Sequence, residues 1–299
     1  MRRRDFLKTG ALTTAALTLG QMPVYSQSKK HSIQKAVKFT MIDEPDLSIG
    51  EKFQLLKDLG FDGVELESPN EFETAEVIAA RDSVQLPIHG IVDSVHWTQP
   101  LSDPDSEVRA AGVKGLQTAI QDAHDYGAST VLLVPGVVNK QVSYSDAYSR
   151  SQTEIRKVLP MASDLGITIA FENVWNKFLL SPLECARYVD EFEHDHVGWY
   201  FDVGNVVTYG YPEHWIHALG HRIVKLDIKE YSRSKGESEG PFAGFEVPLG
   251  QGDCDWPAVN EALDSIGFEG WATAEVASGD RIFLKGLADR MDQVLPSDS

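Results

Sequence analysis

Val197-Gly198-Trp199-Tyr200-Phe201-Asp202-Val203-Gly204-Asn205 is an apolar run that ends in a carboxylate and then turns at a glycine. The same arrangement comes earlier, in Ile167-Thr168-Ile169-Ala170-Phe171-Glu172-Asn173. It returns later in Ile223-Val224-Lys225-Leu226-Asp227 and in Gly270-Trp271-Ala272-Thr273-Ala274-Glu275. Each run has the length and the β-branched or aromatic content of a buried strand. Each places Asp or Glu where such a strand ends.

Working outward, the chain shows eight runs of this kind: Val37–Met41, Gly63–Leu66, Leu86–Val92, Thr130–Val134, Ile167–Phe171, Val197–Phe201, Ile223–Ile228 and Trp271–Glu275. Helical patterns are expected between them at Ser48–Leu59, Asp105–Tyr126, Ser145–Leu165, Pro182–Phe192, Asp255–Ile266 and Asp280–Val294. Glycine stops most of these helices, at Gly60, Gly127, Gly166 and Gly267, and a short turn feeds the next strand. Alternating strands and helices predict a parallel sheet. Eight such units predict an α/β fold of the (β/α)8 TIM barrel type over residues 36–299. The competing open, doubly wound sheet loses support, because no GxGxxG follows the first strand and no Walker sequence occurs.

The N-terminus reads as a separate segment. Met1-Arg2-Arg3-Arg4-Asp5-Phe6-Leu7-Lys8 precedes an uncharged run from Thr9 to Gly20, then Val24-Tyr25-Ser26. This is the pattern of a secretory signal over 1–26, and its paired arginines resemble a twin-arginine export signal. Residues 27–35 read as a polar linker. The expectation is a periplasmic or secreted protein with no stable membrane insertion once the signal is removed. The full chain of 299 residues has a net charge of −18; removing 1–26 leaves 23 basic and 44 acidic residues, a net charge of −21. Such a surface repels nucleic acid. Two cysteines, Cys185 and Cys254, form no CxxC, so a thiolate zinc site is excluded. Self-association into a homo-oligomer is compatible with the sequence.

In a barrel of this kind the strand C-termini share one mouth, and active sites form there. Glu172, Asp202, Asp227 and Glu275 would converge at it. Carboxylates so close repel one another and raise one another's pKa. One divalent cation relieves that, and oxygen ligands suit Mn²⁺ or Mg²⁺.

These motifs resemble the xylose-isomerase-like barrel family of sugar isomerases and epimerases, in particular ketose 3-epimerases. The resemblance rests on Gly60-Phe61-Asp62-Gly63-Val64-Glu65-Leu66, Phe171-Glu172-Asn173-Val174-Trp175-Asn176, Phe201-Asp202-Val203-Gly204-Asn205, Lys225-Leu226-Asp227-Ile228-Lys229-Glu230, Pro248-Leu249-Gly250-Gln251-Gly252 and Ala274-Glu275. It implies one metal held by two Glu, one Asp and one His, with the two glutamates doubling as the acid/base pair. Glu172, Asp202 and Glu275 match three of those ligands. Asp227 stands where the family has His, giving an all-oxygen set that favours an ion harder than zinc. The resemblance also puts Asn205 and Arg233 at substrate-contacting places.

His89, His96, Trp97 and Trp175 are further substrate-binding candidates in or near mouth loops, because sugar C–H faces stack on aromatic rings. Glu65 is a candidate anchor for a hydroxyl, and Lys229 a partner for the metal-site acids. Ser232–Gly244 reads as a lid or a phosphate-binding loop. The expected function is metal-dependent proton abstraction beside the carbonyl of a small-molecule sugar, through an enediolate: an isomerase or epimerase. A lyase acting on a 3-keto-glycoside needs the same first step. A non-catalytic sugar-binding barrel is the alternative from another class.

Overall fold

Each apolar run pairs with the next one along the chain, and the last pairs with the first. The computed structural model describes residues 32–295. Its strands are β1 (Ile33–Lys38), β2 (Gly63–Ser68), β3 (Ile88–Asp93), β4 (Thr130–Leu133), β5 (Thr168–Glu172), β6 (Val197–Asp202), β7 (Ile223–Ile228) and β8 (Gly270–Ala274). All eight neighbouring pairs are parallel, and the sheet closes as a barrel in chain order. This is the expected (β/α)8 barrel.

The proposed signal, 1–26, and the start of the linker lie outside the described residues. The end of that linker does not remain a linker, because β1 begins at Ile33 and pairs with β8 from Ile33↔Gly270 onward. Its polar residues find partners: the Lys35 amide donates to Asp62 Oδ2 at 2.9 Å, and its ammonium to Asp292 Oδ1 at 2.5 Å.

The outer layer holds α1 (Ile49–Asp58), α2 (Thr74–Val84), α3 (Ser106–Tyr126), α4 (Tyr144–Arg156), α5 (Leu159–Leu165), α6 (Pro182–Asp190), α7 (Pro212–Leu219), α8 (Arg233–Glu239), α9 (Trp256–Ile266) and α10 (Arg281–Val294). Ser48 and Glu51 form a reciprocal capping box on α1. Gly127, Gly166 and Gly267 end α3, α5 and α9 in the left-handed conformation.

The single helix expected over Ser145–Leu165 is instead two, α4 and α5. Pro160 has no N–H to donate to the Arg156 carbonyl, so the ladder is interrupted there. Three helices were not foreseen: α2, α7 and α8. The last of these falls inside the stretch read as a lid loop, with Ser232 accepting from the Lys235 amide.

Most of the core lies between strands and helices. Inside the barrel only a small apolar cluster forms, of Leu132, Ala170 and Tyr200. The rest of the interior is polar and supports the mouth. Cys185 and Cys254 are both buried free thiols. Among the described residues, no helix is long and apolar enough to cross a membrane.

Candidate active site

Four adjacent strands deliver four acids to one point. Glu172 ends β5, Asp202 ends β6, Asp227 lies next to last in β7, and Glu275 follows β8. Asp202 and Asp227 are direct register partners. One carboxylate oxygen from each of the four lies within 4.8 Å of the others.

Local chemistry fixes this convergence. Asn173 joins the ends of β5 and β6: its Oδ1 accepts from the Trp199 indole and the Asp202 amide, both at 3.0 Å, and its Nδ2 donates to the Asp202 carbonyl at 2.8 Å. Gly204 lets β7 come close, since a Cβ there would sit 2.4 Å from Lys229 Cγ. Asp202 Oδ1 accepts from the Asn205 amide at 2.7 Å. Buried Glu230 ties the end of β7 to the Pro248–Gly252 loop, accepting from the Gly250 amide at 2.8 Å, the Cys254 amide at 3.0 Å and the Trp256 indole at 2.9 Å.

Two lysines stand among the acids. Lys38, at the end of β1, reaches Glu275 Oε1 at 2.7 Å, Asp227 Oδ2 at 3.0 Å and Glu65 Oε2 at 3.8 Å. Lys229 donates to Glu275 Oε2 and lies 2.9 Å from Asp202 Oδ2. Burial alone would discharge both lysines, but the surrounding carboxylates outweigh it and hold their pKa above the usual lysine value.

The two glutamates differ in consequence. Burial pushes the Glu172 carboxyl up, and the charges of Glu275 and Asp227 push it further. Asn205 Nδ2 donates to its Oε1 over a long 3.5 Å. Burial also acts against ionised Glu275, yet Lys38 and Lys229 overcome it and hold that carboxylate below the usual range.

Above the acids opens a cavity of about 740 Å³. Lys38, Glu172, Lys229 and Glu275 form its floor, and His96, Trp97, Trp175, Asn205, Phe242 and Phe245 stand around it. Asp202 and Asp227 lie beneath, fully buried. Trp175 is fixed by donating to the Asn205 carbonyl at 2.8 Å and packs on Phe242 and Phe245. Burial drives His96 down to about 3, so it is neutral, and its Nδ1 accepts from the Val134 amide at 3.3 Å.

Three expected substrate contacts fall elsewhere. His89 sits inside the barrel below the cavity, stacked on Trp271, with its Nε2 3.0 Å from Thr273 Oγ1 and its Nδ1 2.9 Å from Lys225 Nζ. Glu65 also lies below, accepting from the Tyr200 hydroxyl at 2.9 Å. Arg233 points away from the cavity: its guanidinium donates to the Val207 carbonyl at 2.9 Å and the Gly210 carbonyl at 3.0 Å and covers the Tyr211 ring. It opens α8 rather than lying in a loose loop, which is why it closes on neighbouring backbone. Lys38, Phe242 and Phe245 were missed by sequence reasoning. The signal for Lys38 was a lone cation inside an apolar strand run.

The donor set suits a divalent ion. Four carboxylate oxygens converge, and Asp227 Oδ1 is buried with no hydrogen-bond partner. Asp202 Oδ2 has its lysine contact but no aligned hydrogen bond.

The fold and site thus define a TIM barrel with an acid-floored cavity at its strand C-termini. Residues 53–293 match the model of the xylose isomerase-like TIM barrel family, and the chain belongs to that family. It is 27% identical over 233 residues to the L-ribulose-5-phosphate 3-epimerase UlaE of Escherichia coli O1:K1 / APEC, covering 74% of this chain and 79% of that protein. Among solved structures, a D-tagatose 3-epimerase-like protein aligns with a TM-score of 0.71 at 18% identity, over 88% of this chain and 98% of the other. The 3-keto-D-glucoside 4-epimerase YcjR from E. coli aligns at 0.71 with 17% identity, over 88% and 99%. At those identities the likeness of the structures is one of fold.

Proposed function

We propose that this protein is a sugar epimerase or isomerase that removes a proton beside the ketone of an unphosphorylated keto-sugar, with one divalent ion, Mn²⁺ or Mg²⁺, held by Glu172, Asp202, Asp227 and Glu275. The observation that carries this reading is the pair Glu172 and Glu275. They face one cavity from β5 and β8, and their surroundings hold one carboxyl up and the other down. Carboxyls set apart in this way suit opposite roles in proton transfer. Glu275 takes the carbon-bound proton, and Glu172 returns one to the resulting enediolate from its own side. The ion, when bound, would polarise the ketone and offset charge developing on its oxygen.

Several features support a neutral substrate. Both lysines on the cavity floor are engaged by carboxylates, and Arg233 is turned to backbone carbonyls. A phosphate would therefore find no free cation among the described cavity residues. The UlaE relative is named for a phosphate ester; the substrate we propose for this chain is unphosphorylated. The aromatic side chains around the cavity suit the C–H face of a sugar ring. The twin-arginine-type leader belongs to the same reading, since export to the periplasm or beyond removes the enzyme from phosphorylated intermediates. The net charge of −21 leaves nucleic acid outside the set of partners.

The test is incubation of the purified protein with Mn²⁺ and a panel of free ketoses and 3-keto-glycosides, with products followed by NMR. The expected product is an epimer or positional isomer of an unphosphorylated substrate. An eliminated product would reassign the enzyme as a lyase. Folded, Mn²⁺-loaded protein that turns over no member of the panel would favour a sugar-binding barrel instead.

A further inference from the structure

A second cavity, a groove of about 410 Å³, adjoins the acid-floored one and plays no part in the proposed proton transfer. The Pro248-Leu249 segment forms one side of it, and the first turns of α10, with Ile282, Phe283 and Leu287, form the other. Phe245 and Val276 belong to the walls of both cavities, so the two meet where the chain after β7 passes the chain after β8. Val276 directly follows Glu275, which places that junction beside an acid of the site. The chemistry changes across it. Carboxylates and lysines floor the first cavity, whereas the groove is walled mainly by carbon. Its charged residues are turned to partners of their own: Glu246 to Lys235 at 3.1 Å, and Arg290 to the Leu249 carbonyl at 3.2 Å. Ile282 and Phe283 stand exposed beside it, and adjacent exposed apolar side chains at a cavity point to a binding site.

Gly286 adds an independent observation. With Phe283 and Arg290 it lines the groove at helical spacing along α10. Glycine inside a helix is destabilising relative to alanine. The helix does not require it here, because its φ is not positive and a Cβ would meet nothing within 4 Å. What the missing side chain leaves is open groove.

We propose that this groove is a substrate subsite for an apolar aryl or alkyl group carried on the keto-sugar, so that the substrate is a keto-glycoside with a hydrophobic aglycone rather than a free ketose. The inference rests on the reading of the acid-floored cavity as the sugar site. With the sugar over Glu172 and Glu275, the aglycone leaves past Phe245 and Val276 and lies between Leu249 and Phe283. The groove's volume falls in the range of small-molecule sites, about 300–1,000 Å³. Its junction with the sugar cavity favours a part of the same ligand over a separate partner.

The test compares phenyl and methyl 3-keto-glucosides, as both anomers, on Mn²⁺-loaded native protein, Gly286→Leu and Phe283→Ala. Solvent deuterium entering beside the ketone gives kcat/KM, and calorimetry gives affinity for the same compounds whether or not they react. Native protein prefers the phenyl compound at least about tenfold, the effect of burying one apolar side chain. Gly286→Leu fills the groove from a position outside the acid-floored cavity and brings the two compounds to within about threefold, because that burial is lost. Phe283→Ala lowers the preference by less. A helix interior favours leucine over glycine, so Gly286→Leu should fold, which urea unfolding checks; should it not, Phe283→Ala decides.

Exchange into both compounds at equal kcat/KM, or a phenyl preference that survives both substitutions, overturns the subsite and leaves the sugar chemistry standing. No exchange, with a phenyl preference in binding that Gly286→Leu removes, overturns the epimerase reading and upholds the subsite. No exchange and no preference overturns both. A dimer of the native chain that Gly286→Leu separates, with no phenyl preference, gives the groove to a second copy and overturns the subsite.

Discussion

Strands β5 to β8 each bring an acid to one point at the barrel mouth, whereas β1 to β4 bring a mixed set, Lys38, Glu67, His96 and apolar Leu132, to the same cavity. The acidic half is rigidly specified. Its strand ends are cross-linked through Asn173, Gly204 and Glu230, and Glu172, Asp202 and Asp227 are buried, with Glu275 part-exposed to the cavity. The other half adds one cation, a neutral imidazole and one further acid, Glu67 on β2. On the proposed reading proton transfer belongs to the acids, while charge balance is shared by Lys38 and Lys229 and most ring contacts come from the loops after β5 and β7.

The strongest test of that division is Glu172→Gln. It keeps the shape of the acidic half but removes the group proposed to return the proton. Turnover should fall by roughly 10²- to 10⁴-fold, followed by NMR on the substrate found active. A variant retaining a third of native turnover would break the division.

Asp93 offers a contrast within the other half. It ends β3 much as Asp202 ends β6, but it lies on the α3 side of the sheet and no lysine is paired with it; its Oδ1 accepts only a weak bond from the Val95 amide at 3.3 Å. Burial pushes its carboxyl from 3.8 up to about 7. The folded protein therefore keeps a proton there that the unfolded chain releases at lower pH. Stability from this group is present below the unfolded value and is lost as pH rises through about 7. Asp93→Asn should flatten the stability profile between pH 4 and 8, by roughly 4 kcal/mol for a shift of that size. Urea unfolding across that range checks it; parallel profiles for the two proteins would show that Asp93 is solvated like an ordinary acid.

Arg233→Ala separates structure from recognition. Losing its two backbone hydrogen bonds should cost about 1–3 kcal/mol of stability, while KM for the neutral substrate stays within twofold. A large rise in KM with stability unchanged would return Arg233 to the substrate. The smallest effect is expected at Trp97, half exposed at 51% on the facing side. Trp97→Ala should raise KM a few-fold through a lost stacking contact of about 1 kcal/mol, with kcat preserved.

The acidic half was the legible one. Its signal was local and repeated: an apolar run, a carboxylate and a turn, in four consecutive units. Periodicity alone placed the eight strands to within a few residues. The opposite side was harder to read, because its meaning depends on partners far away in sequence. Lys38 meets Asp227 across 189 positions and Glu275 across 237. Nothing near Lys38 in the chain signals either. His89 and Arg233 misled for the same reason: depth within the barrel and the turn into α8 decide where those side chains point, and neither is written in residue spacing. Of the unforeseen helices, α2 lacks a terminal glycine, α8 has no apolar residue to make a stripe, and α7, though it ends at Gly220, is only eight residues long.

The central claim is proton removal beside a ketone by the paired glutamates. Deuterium exchange from solvent into a keto-sugar, with Mn²⁺ present, tests it most directly. The account predicts deuterium at a carbon adjacent to the ketone in recovered substrate or product, at a rate abolished by Glu172→Gln or Glu275→Gln. Product formation with no solvent deuterium at that carbon, or exchange undiminished in both variants, would contradict it.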